Sequence, residues 1–157
     1  MVRVMATGVF DLLHNGHVQF LTEARRLGDE LVVVVARDST ARKFKHEPIT
    51  TESSRVQLVA ALKPVDRAIL GHEGGSIYDI LEEIRPDIIA LGFDQIHNED
   101  KILEECRKRG LSTKVVRLPK FEGDLDGTRK IVRKVAEWLA LQEKLQAVEG
   151  GARPPPV

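Results

Sequence analysis

Residues 7–17 read Thr-Gly-Val-Phe-Asp-Leu-Leu-His-Asn-Gly-His, and they follow a short apolar run, residues 2–6, that predicts a buried strand. The next stretch, residues 16–27, has apolar residues near helical spacing and is followed by Gly28, which predicts a helix. Residues 7–17 therefore lie where a first strand passes into a first helix. Because a helix N-terminus offers free N–H groups and a positive partial charge, this loop is a candidate anion site.

The rest of the chain repeats this alternation of short β-branched runs and amphipathic stretches. Further strands are predicted at 31–36, 67–70, 87–91 and 114–118, and further helices at 52–62, 76–85, 100–109 and 128–148. This alternation predicts an α/β fold, a single Rossmann-like domain with a five-stranded parallel sheet and helices on both faces. Ligands of such sheets bind beyond the carboxyl ends of the strands, so the loops after the strands hold the candidate site.

The composition narrows the protein class. The chain has 157 residues and a formal net charge of zero, which suits one domain and gives no global attraction to nucleic acid. We expect one folded domain at 1–148 and a flexible Gly/Pro-rich tail at 149–157. The one cysteine, Cys106, allows no disulfide within the chain, and no apolar run reaches membrane-spanning length. A cytoplasmic protein with no membrane partner is therefore expected.

Two histidines, His14 and His17, stand three residues apart in the first loop. Two imidazoles at a helix N-terminus can donate hydrogen bonds to phosphate oxygens, which suits phosphoryl chemistry, where positioning and charge neutralisation dominate. Ordinary loop or capping histidines are one alternative. A metal pair is another, although no cysteine or acidic cluster nearby completes a zinc site.

The loop resembles the signature of the cytidylyltransferase-like nucleotidyltransferase superfamily, Gly-Thr-Phe-Asp-x-x-His-x-Gly-His, with Val9 where threonine is usual. Pantetheine-phosphate and nicotinamide-mononucleotide adenylyltransferases usually carry proline after the aspartate, whereas this chain has Leu12. In that respect it is similar to the branch that holds glycerol-3-phosphate cytidylyltransferase and the archaeal FAD synthases. The later strings at 36–38, 61–66, 91–95 and 116–120 are more similar to those of the archaeal FAD synthases.

The resemblance implies an FMN adenylyltransferase that forms FAD and pyrophosphate from FMN and ATP by direct attack on the α-phosphate. It also implies a divalent metal, Mg²⁺, and a homodimer. Glycerol-3-phosphate cytidylyltransferase is the alternative within the same chemistry, and a non-catalytic nucleotide-binding regulatory module is the alternative from another class. The residues alone leave open the acceptor, the choice between ATP and CTP, and the identity of the metal.

Basic residues follow the second predicted strand. Lys43 and Lys45 resemble the lysine pair that holds the triphosphate in this family, and Arg55 resembles its phosphate-contacting arginine. A mobile pair of cations beside a phosphate site would neutralise charge on the transferred group. A solvated basic loop is the structural alternative for the lysines. The resemblance thus assigns the catalytic residues as His14, His17, Lys43 and Lys45.

Two further loops supply nucleotide-binding candidates. Gly92 and Asp94 follow the fourth strand, where a glycine lets a ribose or base approach the backbone, although a simple turn would favour the same residues. Thr128 opens the last helix, but Asp126 and Gly127 replace the hydroxyl residues that are usual in the family. The predicted nucleotide-binding residues are Thr7, Gly8, Val9, Phe10, Gly16, Arg55, Gly92, Asp94 and Thr128.

Overall fold

A computed structural model describes residues 1–74 and 76–150 of the chain. Five strands carry the fold, and they are β1 (Arg3–Gly8), β2 (Glu30–Val35), β3 (Arg67–Leu70), β4 (Ile88–Leu91) and β5 (Lys114–Arg117). The helices between and after them are α1 (Asn15–Arg25), α2 (Asp38–Phe44), α3 (Glu52–Ala60), α4 (Ile80–Ile84), α5 (Glu99–Lys108) and α6 (Thr128–Glu149).

All five strands are parallel and lie in the order β3-β2-β1-β4-β5. Met5 of β1 pairs with Val32 on one side and with Ile89 on the other, so β1 is the centre of the sheet. The predicted α/β fold with a five-stranded parallel sheet is confirmed. The direction of strand order reverses between β1 and β4, and a crevice for ligands forms at such a point in an open sheet. The loops after β1 and β4 flank this crevice.

The valine run of β2 is covered on both faces of the sheet. Val33 and Val35 point into one apolar cluster with residues of α1 and α3, and Val32 and Val34 point into a second cluster with residues of α4 and α5. Alternate side chains of a strand face opposite sides of the sheet, so an unbroken apolar run fits a strand buried on both faces. This packing on both faces supports the carboxyl ends of the strands, from which the site loops emerge.

Two helices differ from the sequence prediction. The segment predicted as a loop at 37–51 contains α2, whose seven residues are too few to show a helical period and whose one buried residue is Ala41. Helix α4 begins at Ile80 rather than at the predicted residue 76. Ser76 N–H donates to the Asp79 carboxylate and Tyr78 N–H donates to the Ser76 hydroxyl, so local side-chain bonds form a turn in place of the first helical turn.

Helix α6 ends one residue beyond its predicted boundary, with Gly150 in a left-handed conformation, φ 74°, as its C-cap. The other residues of the predicted tail, 151–157, lie outside the described part of the chain. None of the α6 residues is buried. Across residues 1–74 and 76–150, no helix is both long and apolar enough to span a membrane.

Candidate active site

The loop after β1 has an unusual backbone. β1 continues through Thr7 and Gly8, two residues beyond its predicted end, and then Phe10 and Leu12 take left-handed conformations with φ of 55° and 48°. Side chains other than glycine adopt such angles at a cost, and they persist where surrounding contacts hold them. Proline fixes φ near −65°, so this backbone excludes proline at position 12. The backbone conformation therefore accounts for the absence of proline at position 12.

The two histidines lie together at the N-terminus of α1. His14 is the N-cap and His17 lies in the first turn, with their rings stacked at a centroid distance of 3.7 Å. The edge of Phe10 contacts His17 at 5.3 Å between ring centroids. The backbone N–H of His14 donates to Nδ1 of His17 at 3.4 Å, so the proton of a neutral His17 ring resides on Nε2. The pair can therefore present an N–H donor from His17 beside the free N–H groups of the helix.

Both imidazoles are neutral at pH 7. Burial lowers the pKa of His17 to about 3, and the positive charge of Lys45, with that of His14 once it is protonated, acts in the same direction. Burial also lowers the pKa of His14, although the carboxylate of Asp126 works in the opposite direction. Nδ1 of His14 is buried and has no hydrogen-bond partner among the described residues. A hydrogen bond to Nδ1 fixes the tautomer of His17, whereas Nδ1 of His14 has no such bond within the described residues.

Asp11 ties the first loop to the segment before α3. Its side chain is buried and accepts hydrogen bonds from the N–H groups of Ile49 and Thr50, at 2.7 and 2.9 Å, and from the Thr50 hydroxyl at 2.6 Å. Burial alone would raise the pKa of Asp11, but the hydrogen bonds from Thr50 and Ile49 outweigh it and lower the pKa. Asp11 is thus a charged anchor that holds the loop in place.

Arg55 is a second anchor, and its position differs from the sequence expectation. The family resemblance implies direct contact with phosphate, but the Arg55 side chain is 0% exposed. Its guanidinium donates to the carbonyls of Thr50, Val9 and Ala36 and to the carboxylate of Asp38, the last at 2.6 Å. The hydrogen bond from Arg55 also lowers the pKa of Asp38. Arg55 therefore joins the loops after β1 and β2, and its role in this geometry is to position them.

The two predicted catalytic lysines lie in different surroundings. Lys45 is the C-cap of α2, and its charge lowers the pKa of His17, which puts it within electrostatic reach of the histidine pair. Lys43 lies within α2, with Nζ 5.3 Å from the centroid of the Phe44 ring. It lines a separate open cavity together with His72 and Ile77. The structure thus groups Lys45 with the histidines, while Lys43 lies near Phe44 and lines the separate cavity.

The loop after β4 is held against the end of β1. The Gln95 side chain accepts from the Gly92 N–H and donates to the Thr7 carbonyl, both at 2.8 Å. Arg117 of β5 donates to the carbonyls of Gly92 and Gln95, also at 2.8 Å. A Cβ on Gly92 would meet only ordinary van der Waals contacts, so the fold itself does not demand glycine there. Close approach of a ligand remains a reason for this glycine, and exposed Asp94 lies beside it.

The last loop closes over the first one. A Cβ on Gly16 would clash with the carbonyl oxygen of Asp126, so a contact within the protein requires glycine at position 16. The hydroxyl of Thr128, a predicted nucleotide-binding residue, donates to the Asp11 carbonyl at 2.8 Å. The N-cap of α6 is Gly127, and the carboxylate of Asp126 pairs with Lys130. Thr128 thus joins α6 to the first loop.

No group of three or more histidine, cysteine or carboxylate side chains that could hold a metal occurs among residues 1–74 and 76–150. The carboxylates nearest the histidines, Asp11 and Asp126, already accept hydrogen bonds from protein donors. A magnesium ion usually keeps several waters and binds through substrate phosphates with one or two carboxylates. The site fits a metal that arrives with a nucleotide and does not fit an all-protein metal cage.

Sequence reasoning missed several residues that organise this site. Asp38, Gln95 and Arg117 hold the loops through bonds to distant backbone atoms and side chains, and their identities alone do not reveal those partners. All three belong to the strings that resemble archaeal FAD synthases, at 36–38, 91–95 and 116–120. That resemblance was the available signal for their importance.

Known proteins resemble the chain over most of its length. The profile of the cytidylyltransferase-like family matches residues 5–144. An FAD synthase of Aciduliprofundum boonei is 62% identical over 138 residues, which are 87% of this chain and 92% of that protein. An FAD synthase of Archaeoglobus profundus is 50% identical over 150 residues, 95% of this chain and 94% of that protein.

Solved structures have the same fold. A crystal structure of the lipopolysaccharide core biosynthesis protein from Thermoplasma volcanium is 54% identical, with a TM-score of 0.73 over 78% of this chain and 99% of that chain. A pantothenate synthetase structure from Thermus thermophilus is 17% identical, with a TM-score of 0.51 over 96% of this chain and 71% of that chain. At that identity the second likeness shows the fold alone.

Proposed function

The chain belongs to the cytidylyltransferase-like family, and we propose that it is an FAD synthase, an enzyme that transfers the adenylyl group of ATP to FMN. The observation that carries this chemistry is the stacked His14–His17 pair at the N-terminus of α1, beside the crevice of the sheet. The acceptor and the nucleotide are inferred from the FAD synthases that are 62% and 50% identical to it.

In the proposed reaction an oxygen of the FMN phosphate forms a bond to the α-phosphorus of ATP. The bond from that phosphorus to the bridging oxygen breaks, and pyrophosphate leaves with the electron pair. No enzyme nucleophile takes part. His17 donates from Nε2 to an oxygen of the transferred phosphate, His14 donates beside it, and the N–H groups of α1 add positive potential. Because both imidazoles are neutral at pH 7, they can stabilise charge on the transferred phosphate without first losing a proton.

The remaining residues bind and position the substrates. Lys45, close to the histidines, would neutralise the triphosphate, and Lys43 would join it only through a rearrangement of its side chain away from Phe44. Gly92 and Asp94 would receive the nucleoside beyond the end of β4. Arg55 acts through the carbonyls and the carboxylate that it holds, as a positioning residue.

An exposed apolar surface favours a large aromatic substrate over glycerol-3-phosphate. Phe93 is half exposed and Ile96 is 91% exposed, both in the loop after β4, and Lys120 lies 5.7 Å from the centroid of the Phe93 ring. A flavin or adenine ring can cover such surface, and burial contributes about 25 cal/mol per Å² of apolar area. Glycerol-3-phosphate has no comparable apolar area.

The proposal also includes a bound magnesium ion, a homodimeric assembly and a cytoplasmic location. Magnesium bound with ATP would neutralise the phosphates and polarise them for attack. The homodimer follows from the family resemblance. A reduced lone cysteine, Cys106, which is buried and unpaired in the structure, suits the cytoplasm.

Product analysis tests the proposal. Purified protein is incubated with magnesium and either FMN plus ATP or glycerol-3-phosphate plus CTP, and the products are separated by chromatography. We expect FAD and pyrophosphate from the first pair and little product from the second. Efficient formation of CDP-glycerol without FAD would show that the proposed acceptor and nucleotide are wrong. The proposal of nucleotidyl transfer itself would still stand. No transfer from either nucleotide to either acceptor would contradict the proposed FAD synthase and would leave a binding module as the alternative.

A further inference from the structure

An open cavity between α2 and the segment after β3 carries apolar side chains that face solvent. Its volume is about 390 Å³, which falls within the range of roughly 300–1,000 Å³ that is usual for small-molecule pockets. Phe44, from α2, is 57% exposed, and Ile77, from the segment after β3, is 51% exposed. Large apolar side chains that stay exposed in a concave place are typical of a ligand site, because a bound ligand can cover them.

The polar groups of the cavity suit a ring that is uncharged and has a polar edge. Ser39 and Thr40 also line the cavity, and their hydroxyls can both donate and accept hydrogen bonds. Lys43 adds a cation, with Nζ 5.3 Å from the centroid of the Phe44 ring. The carboxylate of Glu73 lines the cavity too, so the cavity favours an uncharged ring over a phosphate. The isoalloxazine ring of a flavin has an apolar body and an edge of carbonyl oxygens and a ring N–H.

Contacts within the chain hold the two sides of the cavity in place. Arg37, the N-cap of α2, donates from Nε to the Gly71 carbonyl at 2.8 Å and pairs with Glu52 at 3.3 Å. His72, on the side after β3, pairs with Glu83 of α4 at 3.1 Å. The start of α2 and the residues after β3 are therefore linked, so the cavity is formed before a ligand binds. A preformed pocket binds a rigid ring with a smaller loss of conformational entropy.

The cavity lies beside the phosphate site. Lys43 is two residues from Lys45, so the Cα atoms of the two lysines are at most about 7 Å apart. Lys45 is within electrostatic reach of His17. The strands that carry the cavity, β2 and β3, lie on one side of β1 in the sheet, and β4 lies on the other side. The histidine loop after β1 thus separates the cavity from the exposed ring of Phe93.

We propose that this cavity holds the flavin ring of the acceptor, with Phe44 and Ile77 against the ring, while adenine lies on the far side of the histidine loop, near Phe93. The inference rests on the proposed FAD synthase activity and adds to it the residues that select a flavin. FAD has two ring systems joined through a pyrophosphate, and the sheet offers an apolar surface on each side of its phosphate site. The flexible ribityl chain of FMN would run past Lys43 and bring the FMN phosphate to the histidine pair.

Flavin binding and steady-state kinetics test the assignment. An aromatic contact and its buried area are worth about tenfold in binding. We therefore expect Phe44→Ala to raise the Kd of FMN, measured by FMN fluorescence, and KM for FMN by about tenfold, with little change in KM for ATP. Phe44→Trp retains an aromatic ring and should keep FMN binding. Leu58→Ala, at an exposed apolar residue of α3 outside the cavity, is the matched control and should change neither constant.

Riboflavin has the flavin ring without the phosphate, so it separates the ring site from the phosphate site. It should inhibit competitively against FMN and not competitively against ATP. Phe44→Ala should weaken the binding of riboflavin and FMN by the same factor, since the two ligands share the ring. Ile77→Glu places a charge in the cavity, and it should weaken the binding of both flavins by at least about tenfold.

Failure of this assignment can be distinguished from failure of the proposed function. If Phe44→Ala and Ile77→Glu both leave KM for FMN unchanged while FAD still forms, the flavin ring lies elsewhere and the proposed function stands. A rise in KM for ATP alone would overturn the assignment by giving the cavity to adenine. If the original protein neither binds flavin nor forms FAD, the proposed function is wrong, and the assignment of the cavity is wrong with it.

Discussion

The loop after β1 and helix α6 meet at the candidate site, but the protein holds them in different ways. The loop contains two left-handed residues and is fixed by Asp11 and Arg55, whose buried side chains bond to several distant backbone atoms. Helix α6 has no buried residue and is tied to the loop at its start, through the Thr128 hydroxyl. Contacts within the chain therefore fix the catalytic loop, whereas the far part of α6 stays exposed.

Removing the anchor of the loop should have the largest effect. Arg55→Met would leave the Asp38 carboxylate and three carbonyls without their buried donor, so we expect the free energy of unfolding to fall by about 3–5 kcal/mol. Urea denaturation measures it. Arg42→Met is the matched control, because Arg42 pairs with Glu47 at an exposed position and should matter by less than about 1 kcal/mol. Equal losses in the two variants would mean that Arg55 does not anchor the loop.

Changing the histidines should break catalysis without loosening the loop. His14→Ala or His17→Ala removes a donor to the transferred phosphate, so we expect kcat to fall by about a hundredfold or more. The melting temperature should change little, because Asp11 and Arg55 still hold the backbone. His46→Ala, at an exposed histidine whose Nδ1 lies 3.0 Å from the Glu47 carbonyl oxygen, serves as the control. Near-normal turnover in both site variants would rule out the assigned role.

The smallest expected effect lies at the junction of the two regions. Thr128→Ala removes the hydrogen bond to the Asp11 carbonyl, and we expect kcat/KM for ATP to fall by an amount worth about 1 kcal/mol. Thr128→Ser retains the hydroxyl and should remain close to the original enzyme. Steady-state kinetics at varied ATP measure both variants. If the alanine variant is unaffected, the start of α6 does not need this bond to form the site.

Much of the fold was predictable because it rests on local pattern. The four valines at 32–35 indicate a strand buried on both faces, and alternation with amphipathic stretches indicates the parallel sheet. Helix α2 was missed because seven residues rich in charge show no period, and α4 was predicted too long because Ser76 and Asp79 form a competing turn. Short elements depend on contacts that a sequence window does not contain.

The candidate site was predictable only where it depends on residues that are close together in the sequence. His14 is the N-cap of α1 and His17 lies in its first turn, so the local geometry of the helix start brings the two rings together. Lys45 and Lys43 are two residues apart, and on α2 and its cap that spacing turns their side chains to different surroundings. The sequence did not predict helix α2 at 38–44, so it could not show that the two lysines lie in different surroundings.

The sequence by itself determined the strand–helix alternation, the order of the loops along the chain and the histidine pair, since each follows from neighbours a few residues apart. Only the tertiary structure decided that Arg55 is buried, with bonds to Val9 and Asp38, and that the pKa of His17 falls to about 3. It also left apolar residues of α6, among them Val135 and Trp138, exposed. Burial and long-range hydrogen bonds depend on which distant segments pack together, and packing is a property of the whole fold.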